Sequence, residues 1–246
     1  MKSKSNKIPK IERKILHVGK VFECEVVERV NRFVVNVKVG KKCHKAWINN
    51  TGRLQEFLVK GRKGFCMKKG KGKTAYRLFS IKDGKLGAVI DTQLQMRAFE
   101  KCLEMNFIPW LDGCKMIKRN ARLGESLIDY LLDCDGEKIY LEVKSAVLRE
   151  KKYAMYPDCP SARGRKHIKE LMDYSKNGEA MILFIAALPG IKAFKPNKNA
   201  DEKLYDLLLE SHQKGVKIKA MNIYYNQFDS FIYLSNPDLR VNLQVK

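Results

Sequence analysis

Two acidic residues and a lysine in the second half of the chain could form a metal-dependent reaction centre. Asp129 lies in the run SLIDYLLDC, and Glu142 and Lys144 lie in the next run, IYLEVKSAVL. Both runs have the composition of strands, and the short polar segment between them predicts a hairpin turn. Because side chains alternate along a strand, we expect Glu142 and Lys144 to share one face.

Acids within apolar strands are costly to bury unless a partner neutralises them. A divalent cation, Mg²⁺ (or Mn²⁺), would do so, with ligands from Asp129, Glu142 and the Val143 carbonyl. The cation would activate a water, and Lys144 would orient that water or stabilise charge on a phosphate. The alternative is a surface Glu–Lys pair of little energetic value. The pattern resembles the PD-(D/E)xK motif of restriction-type nucleases, although Ile128 replaces the usual proline.

Two further residues could join this centre. Glu100 lies on a helix predicted at Gln93–Asn106, and we expect it to be an additional metal ligand. His167 lies near the start of a helix predicted at Arg163–Lys176, which Ser161 could cap. His167 could act as a general acid toward the leaving oxygen, although an isolated histidine is more often structural.

The pattern along the chain predicts two domains. From His17 to about Ser80, short β-rich runs alternate with turns, which favours a small barrel of the oligonucleotide-binding (OB) kind. A turn near Gly84 predicts a boundary, with a basic arm and barrel in residues 1–84 and a second domain in residues 85–246. The second domain begins with a helix that Thr92 could cap. Its order of helices and strands predicts a mixed α/β or α+β sheet flanked by helices.

The charge of the chain favours a polyanionic partner. Lys and Arg total 49 against 27 Asp and Glu, giving a formal net charge of +22. Each phosphate that a protein neutralises releases counterions, so DNA is the leading partner, with RNA as an open alternative. A merely solvated basic surface is the other reading. The residues that we expect to contact nucleic acid are Arg53, Lys60, Arg62, Lys63, Lys68, Lys69, Arg163 and Arg165.

The cysteines and the hydropathy of the chain indicate its setting. The seven cysteines include no CxxC pair, so a zinc ribbon or finger is not supported. Their odd number and the lack of a secretory leader predict a cytoplasmic protein with mostly free thiols. No apolar run has the length of a membrane span. The oligomeric state stays open, and a homodimer is one of the options.

Several segments together resemble the sugar fermentation stimulation protein family. The loop INNTGRL is similar to the family's CPNTGRM-like loop, and RAFEKCLEMNFIPWL is similar to its helix and "IP" turn. The strands LIDYLL and YLEVKSAVL resemble FDFLL and YVEVKSVTL. The segment YPDCPSARGRKHIKELM resembles FPDAVTERGRKHLRELM, and it is the most specific match of the set.

This resemblance implies an N-terminal OB-like barrel and a C-terminal restriction-nuclease-like domain. The family is described as DNA-binding and as acting in the regulation of sugar metabolism. A Mg²⁺-dependent nuclease is therefore the leading expectation, and a non-catalytic DNA-binding regulator that keeps the nuclease fold is the alternative. Two departures weaken the expected substrate contacts: Leu127 stands where an arginine is usual, and Ala162 stands where a glutamate is usual.

Overall fold

The computed structural model of the chain describes residues 12–70 and 72–243, so most of the predicted basic arm lies outside the described residues. The strands are β1 (Arg13–His17), β2 (Val21–Arg29), β3 (Val34–Val39), β4 (Lys42–Trp47), β5 (Lys63–Lys68), β6 (Tyr76–Asp83), β7 (Leu86–Val89), β8 (Cys114–Leu123), β9 (Ser126–Cys134), β10 (Glu137–Ala146), β11 (Leu148–Glu150), β12 (Tyr153–Tyr156), β13 (Glu179–Ala186), β14 (Ala193–Pro196), β15 (Lys217–Asn226), β16 (Phe231–Asn236) and β17 (Arg240–Val241). The helices are α1 (Thr92–Glu104), α2 (Ala162–Tyr174) and α3 (Glu202–Gln213), with a 3-10 turn at Pro109–Leu111.

Strands β2 to β6 form a closed barrel. β2 pairs with β3 and β5, β3 pairs with β4, and β5 pairs with β6, all antiparallel. A short parallel pairing of β4 with β6, at Ala46 and Tyr76, closes the ring. Inward-facing side chains such as Val26, Val35 and Val37 are fully buried. The predicted OB-like barrel is confirmed, and its β-branched residues fill the interior as expected for a small barrel.

The second half of the chain builds the predicted mixed sheet. β15, β13 and β10 run parallel to one another, and β10, β9 and β8 continue the sheet as antiparallel neighbours. β13 is the central strand, and every residue from Ala180 to Ala186 is buried. A strand covered on both faces needs such a continuous apolar run. The restriction-endonuclease-like arrangement expected from the sequence is confirmed.

Hydrogen-bonded strands connect the barrel to the mixed sheet. β7 pairs with β6 of the barrel and with β15 of the mixed sheet at Gly87 and Tyr225. β1, at the start of the described chain, pairs with β16 near its end. The turn at Gly84, which the sequence marks as a boundary, therefore lies inside the β6–β7 hairpin.

The helices cover opposite faces of the mixed sheet. α1 packs on the face that carries Tyr130, and the Phe99 ring lies 5.2 Å from it, centroid to centroid. α2 packs on the other face, and its predicted cap is confirmed, because the Ser161 hydroxyl accepts the Gly164 N–H. The predicted Thr92 cap of α1 is wrong: Asp91 is the N-cap, and its side chain accepts the third amide N–H of the helix.

Two of the seven cysteines differ from the expectation of free thiols. Cys114 and Cys134 form a disulfide, because the β8–β9 register places them directly opposite each other with their Cα atoms 4.0 Å apart. The other five are free. Within the ranges that the structure describes, no helix combines the length and apolar character that a membrane crossing requires.

Candidate metal and nucleic-acid site

The paired acids lie where two neighbouring strands separate. The backbone pairing of β9 with β10 ends at Tyr130 and Leu141, one residue short of the acids. There the Asp129 carboxylate accepts the Val143 N–H at 2.8 Å, and the Asp129 N–H lies 3.3 Å from the Glu142 carboxylate that accepts it. The two carboxylates therefore take the place of the backbone carbonyls that would accept these N–H groups in a continued β-ladder, and the predicted pair Asp129 and Glu142 is brought together.

Glu142 is the centre of a buried charge cluster. Its side chain is 3% exposed, and its Oε1 lies 2.5 Å from both Lys144 Nζ and His167 Nδ1. The Arg163 Nε–H donates to His167 Nε2 at 3.4 Å. A guanidinium can only donate, so Nε2 is the acceptor and a neutral ring carries its proton on Nδ1. His167 therefore points its N–H at Glu142, and the imidazole is buried against that carboxylate.

Burial and neighbouring charges shift the pKa values of this cluster in different directions. Burial, followed by the charge of Glu142, raises the pKa of Asp129 to about 6. Burial alone would raise the pKa of Glu142 too, but Lys144 and His167 outweigh it and hold that pKa below its ordinary value. Burial would lower the pKa of Lys144, but Glu142 keeps it raised. The cluster thus holds one acid whose pKa is lowered and one whose pKa is raised.

A cleft of about 280 Å³ opens beside the acids, between the barrel and the mixed sheet. Side chains of β9 and β10 line it together with the start of α1, and Arg163 from the first turn of α2 lines it as well. The barrel contributes the loop at residues 49–54, of which Asn49, Asn50 and Thr51 line the cleft. Both halves of the molecule therefore contribute to the walls of the cleft.

Hydrogen bonds hold this loop against the start of α1. Asp91 accepts the Asn49 side-chain N–H at 2.9 Å while it caps the helix. The Asn49 side chain in turn accepts the Thr92 N–H at 3.0 Å. The Asn50 side chain donates at 3.2 Å to the backbone carbonyl just before Asp91. The loop is fixed relative to the helix that lines the cleft, although the sequence placed the two in different domains.

The far end of the loop is held from both sides. Arg29 of β2 donates to the carbonyls of Gly52 and Arg53 at 2.7 and 2.6 Å. Asp158, which precedes α2, accepts the Leu54 N–H at 3.1 Å. A Cβ atom at Gly52 would lie 2.5 Å from the Asp158 Oδ2 atom, so only glycine fits the loop as it stands. Arg29, Asp91 and Asp158 were not singled out from the sequence, because nothing local marks residues that act only through distant backbone groups.

Glu100 does not join the acidic pair. Its carboxylate accepts the Tyr130 hydroxyl at 2.7 Å and forms an ion pair with Arg119. Tyr130 follows Asp129 in β9, and alternation along the strand turns the two side chains to opposite faces. Glu100 therefore lies under α1 on the far side of the sheet, and it does not line the cleft.

The two predicted phosphate-contacting arginines of α2 separate. Arg163 lines the cleft with the acids, as noted above. Arg165 instead pairs with Asp201, the N-cap of α3, and faces a groove between α2 and α3 that Lys169 and Lys203 also line. One positive charge of the pair is thus available at the cleft, and the other is engaged in holding two helix starts together.

The predicted cations of the barrel differ in how far they are free to bind a partner. Arg62 donates to the Lys82 carbonyl, and Lys63 pairs with Glu25 at 3.0 Å. Lys69 lies over the Trp47 ring, 5.1 Å from its centroid. The structure places the following residues on exposed surface outside the cleft lining: Arg53, Lys60, Lys68 and Lys69.

The donor set of the cleft fits a hard divalent cation. The two carboxylates lie beside the Val143 backbone, whose N–H donates to Asp129, and carboxylate and carbonyl oxygens are ligands that Mg²⁺ and Mn²⁺ prefer. Burial, followed by the charge of Glu142, raises the pKa of Asp129, and a bound cation would oppose that shift. Within residues 12–70 and 72–243, no three His, Cys, Asp or Glu side chains are grouped as metal ligands. Any cation would therefore complete its coordination with the backbone, water or a phosphate.

Two family models match this chain. A model described as the SfsA N-terminal OB domain matches residues 27–90, and one described as the sugar fermentation stimulation protein RE domain matches residues 93–228. The first covers the closed barrel except for most of β2, and the second runs from α1 into the β15–β16 hairpin. The two matches meet at Asp91 and Thr92, the N-cap and the first residue of α1.

Curated proteins and a solved structure show the same relationship. The sugar fermentation stimulation protein homolog of Pyrococcus furiosus is 48% identical over 221 residues, covering 89% of this chain and 96% of that protein. The Archaeoglobus fulgidus homolog is 45% identical over 228 residues, covering 93% and 99%. The structure of Pyrococcus furiosus SfsA in complex with Ca²⁺ matches with a TM-score of 0.90 and 46% identity, covering 94% of this chain and 99% of that one. This chain belongs to the sugar fermentation stimulation protein family.

Proposed function

We propose that this chain binds DNA and hydrolyses its phosphodiester backbone with Mg²⁺ (or Mn²⁺) at the cleft between barrel and sheet. The observation that carries the proposal is the buried Asp129–Glu142 pair, joined to Lys144, at the point where β9 and β10 separate. The calcium complex of the Pyrococcus furiosus relative supports a divalent cation, and the net charge of +22 supports a polyanionic partner.

Each residue of the cluster has a distinct part in this proposal. Asp129, Glu142 and the Val143 carbonyl would hold the cation, which would lower the pKa of a water and offset charge on the scissile phosphate. Lys144 keeps Glu142 ionised and presents an ammonium group that can stabilise a developing oxyanion. His167 touches Glu142 and donates to it, so we assign it a positioning role in place of the general-acid role expected from the sequence.

Cleavage assays with matched variants test the proposal. Single- and double-stranded DNA are incubated with the protein and Mg²⁺, Mn²⁺ or a chelator. We expect Asp129→Asn and Glu142→Gln to lower metal-dependent cleavage by at least about a hundredfold, since charge stabilisation by a metal is worth several kcal/mol. DNA affinity in the absence of metal should change little.

Asp133→Asn and Glu137→Gln are the controls, because they make the same substitutions on the same two strands away from the cleft. Asp133 is four residues from Asp129 along β9, or about 13 Å at the rise of a strand. Both controls should cleave like the unaltered protein. Metal-dependent cleavage that survives in Asp129→Asn would refute the assignment.

A non-catalytic DNA-binding regulator is the second candidate, and one observation favours it. Glu142 Oε1 already pairs with the Lys144 ammonium and accepts from His167, so its charge is partly neutralised by the protein's own lysine. In that case the motif stabilises the strands without turnover. Failure of the unaltered protein to give any metal-dependent product at high concentration would support the regulator.

Binding assays test the polyanion part separately. Affinity for DNA should fall steeply as salt rises, because each neutralised phosphate releases counterions. Competition between DNA and RNA of the same length and strandedness distinguishes the two polymers. If RNA displaces DNA preferentially, RNA is the partner instead of DNA. A flat salt response would remove the basis for either.

A further inference from the structure

We propose that a second cavity holds one unstacked nucleobase of the bound DNA strand. It lies next to the cleft that opens beside Asp129 and Glu142, called the metal cleft below. This inference rests on the proposed DNA binding, since it concerns the nucleotide beside the scissile phosphate. The cavity, called the side pocket below, has a volume of about 270 Å³. At roughly 30 Å³ per liquid water it has room for about nine waters, and so for one aromatic heterocycle.

The side pocket borders the metal cleft. Three residues line both spaces: Asn50 and Thr51 of the barrel loop, and Ser145 of β10. Ser145 directly follows Lys144 in the chain. A strand whose phosphate lies at the acids would therefore direct an adjacent sugar and base toward the side pocket.

The side pocket has an apolar side, which suits the faces of a base, and a polar side that includes Arg32, Asn50, Thr51 and Asp158. Its apolar walls come from the β10–β12 region and the segment before α2, and they consist of Val147, Leu148, Met155, Pro157 and Pro160. Tyr156 adds an aromatic ring. Apolar and aromatic walls with a few polar groups are how proteins hold bases taken out of the stack.

One polar atom at the junction of the two spaces lacks a partner. The Ser145 hydroxyl oxygen is buried and makes no hydrogen bond within the described part of the chain. A buried hydroxyl without a partner is costly, and such groups in native proteins commonly have a functional explanation. A rotation about the Cα–Cβ bond of Ser145 would bring this oxygen to the pocket wall, where it could hydrogen-bond to the edge of a base.

The consequence concerns the substrate class. A base within a regular duplex is stacked and paired, so it can enter the side pocket only after leaving the helix. The substrates that meet this requirement cheaply are single strands, frayed ends and duplexes with an unpaired nucleotide. We expect these to bind more tightly than a fully paired duplex of equal length and charge.

The test uses the full chain with Ca²⁺ and three short duplexes of equal length. One is fully paired, one carries a single unpaired thymidine, and one carries an abasic residue at that unpaired position. The abasic duplex keeps the backbone and its flexibility but lacks the base. We expect the thymidine duplex to bind about tenfold more tightly than the abasic one, as for a base held by contacts to its face.

Variants connect this preference to the side pocket. Met155→Trp fills the cavity and should abolish the preference, while Met105→Trp makes the same change at the end of α1, about 20 Å from its first turn, and should keep it. Met155 is 8% exposed, so folding is checked by thermal unfolding. If Met155→Trp does not fold, Ser145→Ala serves, with an expected loss of about fivefold in the preference.

The outcomes separate this inference from the proposed nuclease function. Equal affinity of the unaltered protein for the thymidine and abasic duplexes overturns the side pocket, whether or not the protein cleaves DNA with Mg²⁺. A preference that Met155→Trp and Ser145→Ala both leave intact overturns it as well. A preference lost in Met155→Trp but kept in Met105→Trp supports the side pocket even if no cleavage is found.

Discussion

Replacing Gly52 with alanine should loosen the barrel loop from the mixed sheet. The new methyl group would lie 2.5 Å from Asp158 Oδ2 and 2.8 Å from Oδ1, so the carboxylate has to move. The side chain of Asp158 is short, but it is engaged, because it accepts the Leu54 N–H at 3.1 Å. Moving it breaks a hydrogen bond that links the loop to the segment before α2.

The size of the effect follows from that bond. A hydrogen bond to a charged group contributes about 1.5–3 kcal/mol to the free energy of unfolding, and Gly52→Ala should cost about this much. For a domain of 150–250 residues, each kcal/mol shifts Tm by about 2–4 °C. Asp158→Ala removes the same bond from the other side. The double variant should therefore be no less stable than Asp158→Ala alone, because the clash and the bond have both gone.

Thermal and urea unfolding of the four proteins in this cycle measure the coupling between the two sites. We expect a coupling energy close to the cost of Gly52→Ala itself, since the two changes act on one contact. Gly70→Ala, at a glycine that like Gly52 has no positive φ but has open space around it, controls for the loss of glycine flexibility alone. If Gly52→Ala costs as much in the Asp158→Ala background as in the unaltered protein, the reasoning is wrong.

Three further perturbations test other contacts. Tyr130→Phe should destabilise the protein by about 1–3 kcal/mol in urea unfolding, because the buried Glu100 loses its 2.7 Å donor. His167→Asn should raise the Mg²⁺ concentration needed for half-maximal cleavage by about 10–100-fold, because His167 orients the proposed metal ligand Glu142. Cleavage should recover at high Mg²⁺, and a loss that high Mg²⁺ does not restore would contradict this. Cys114→Ser with Cys134→Ser should cost about 3 kcal/mol by loop-closure entropy, as judged by urea unfolding against the unaltered protein.

The acidic site could be predicted because strand periodicity carries it. Alternation put Glu142 and Lys144 on one face, and the hairpin between the two runs brought Asp129 beside them, as the structure shows. Strand periodicity does not extend to Glu100, the expected further ligand that does not join the acidic pair. Glu100 is on a helix, and which face of the sheet that helix covers depends on tertiary packing against Tyr130, which the sequence of either residue alone does not reveal.

Long-range pairing accounts for most of what the sequence did not predict. The turn-rich first half indicated a barrel, but the parallel contact of β4 with β6 that closes it joins residues thirty apart. β8 escaped prediction because its exposed, charged side chains do not alternate with apolar ones. The Cys114–Cys134 bond depends on the β8–β9 register, so the omission of β8 also concealed the disulfide.

The barrel does more in this structure than add positive charge. Asp91 caps α1, pairs with Arg77 of β6 and accepts from Asn49, so one buried carboxylate connects a barrel strand, the barrel loop and a helix of the mixed sheet. That helix and that loop both line the metal cleft. The mixed sheet supplies both acids, but without the barrel the cleft would lack one wall and the side pocket would lose two of the residues it shares with the cleft. The shape of the cleft therefore depends on the contact between the two halves as much as on the acids themselves.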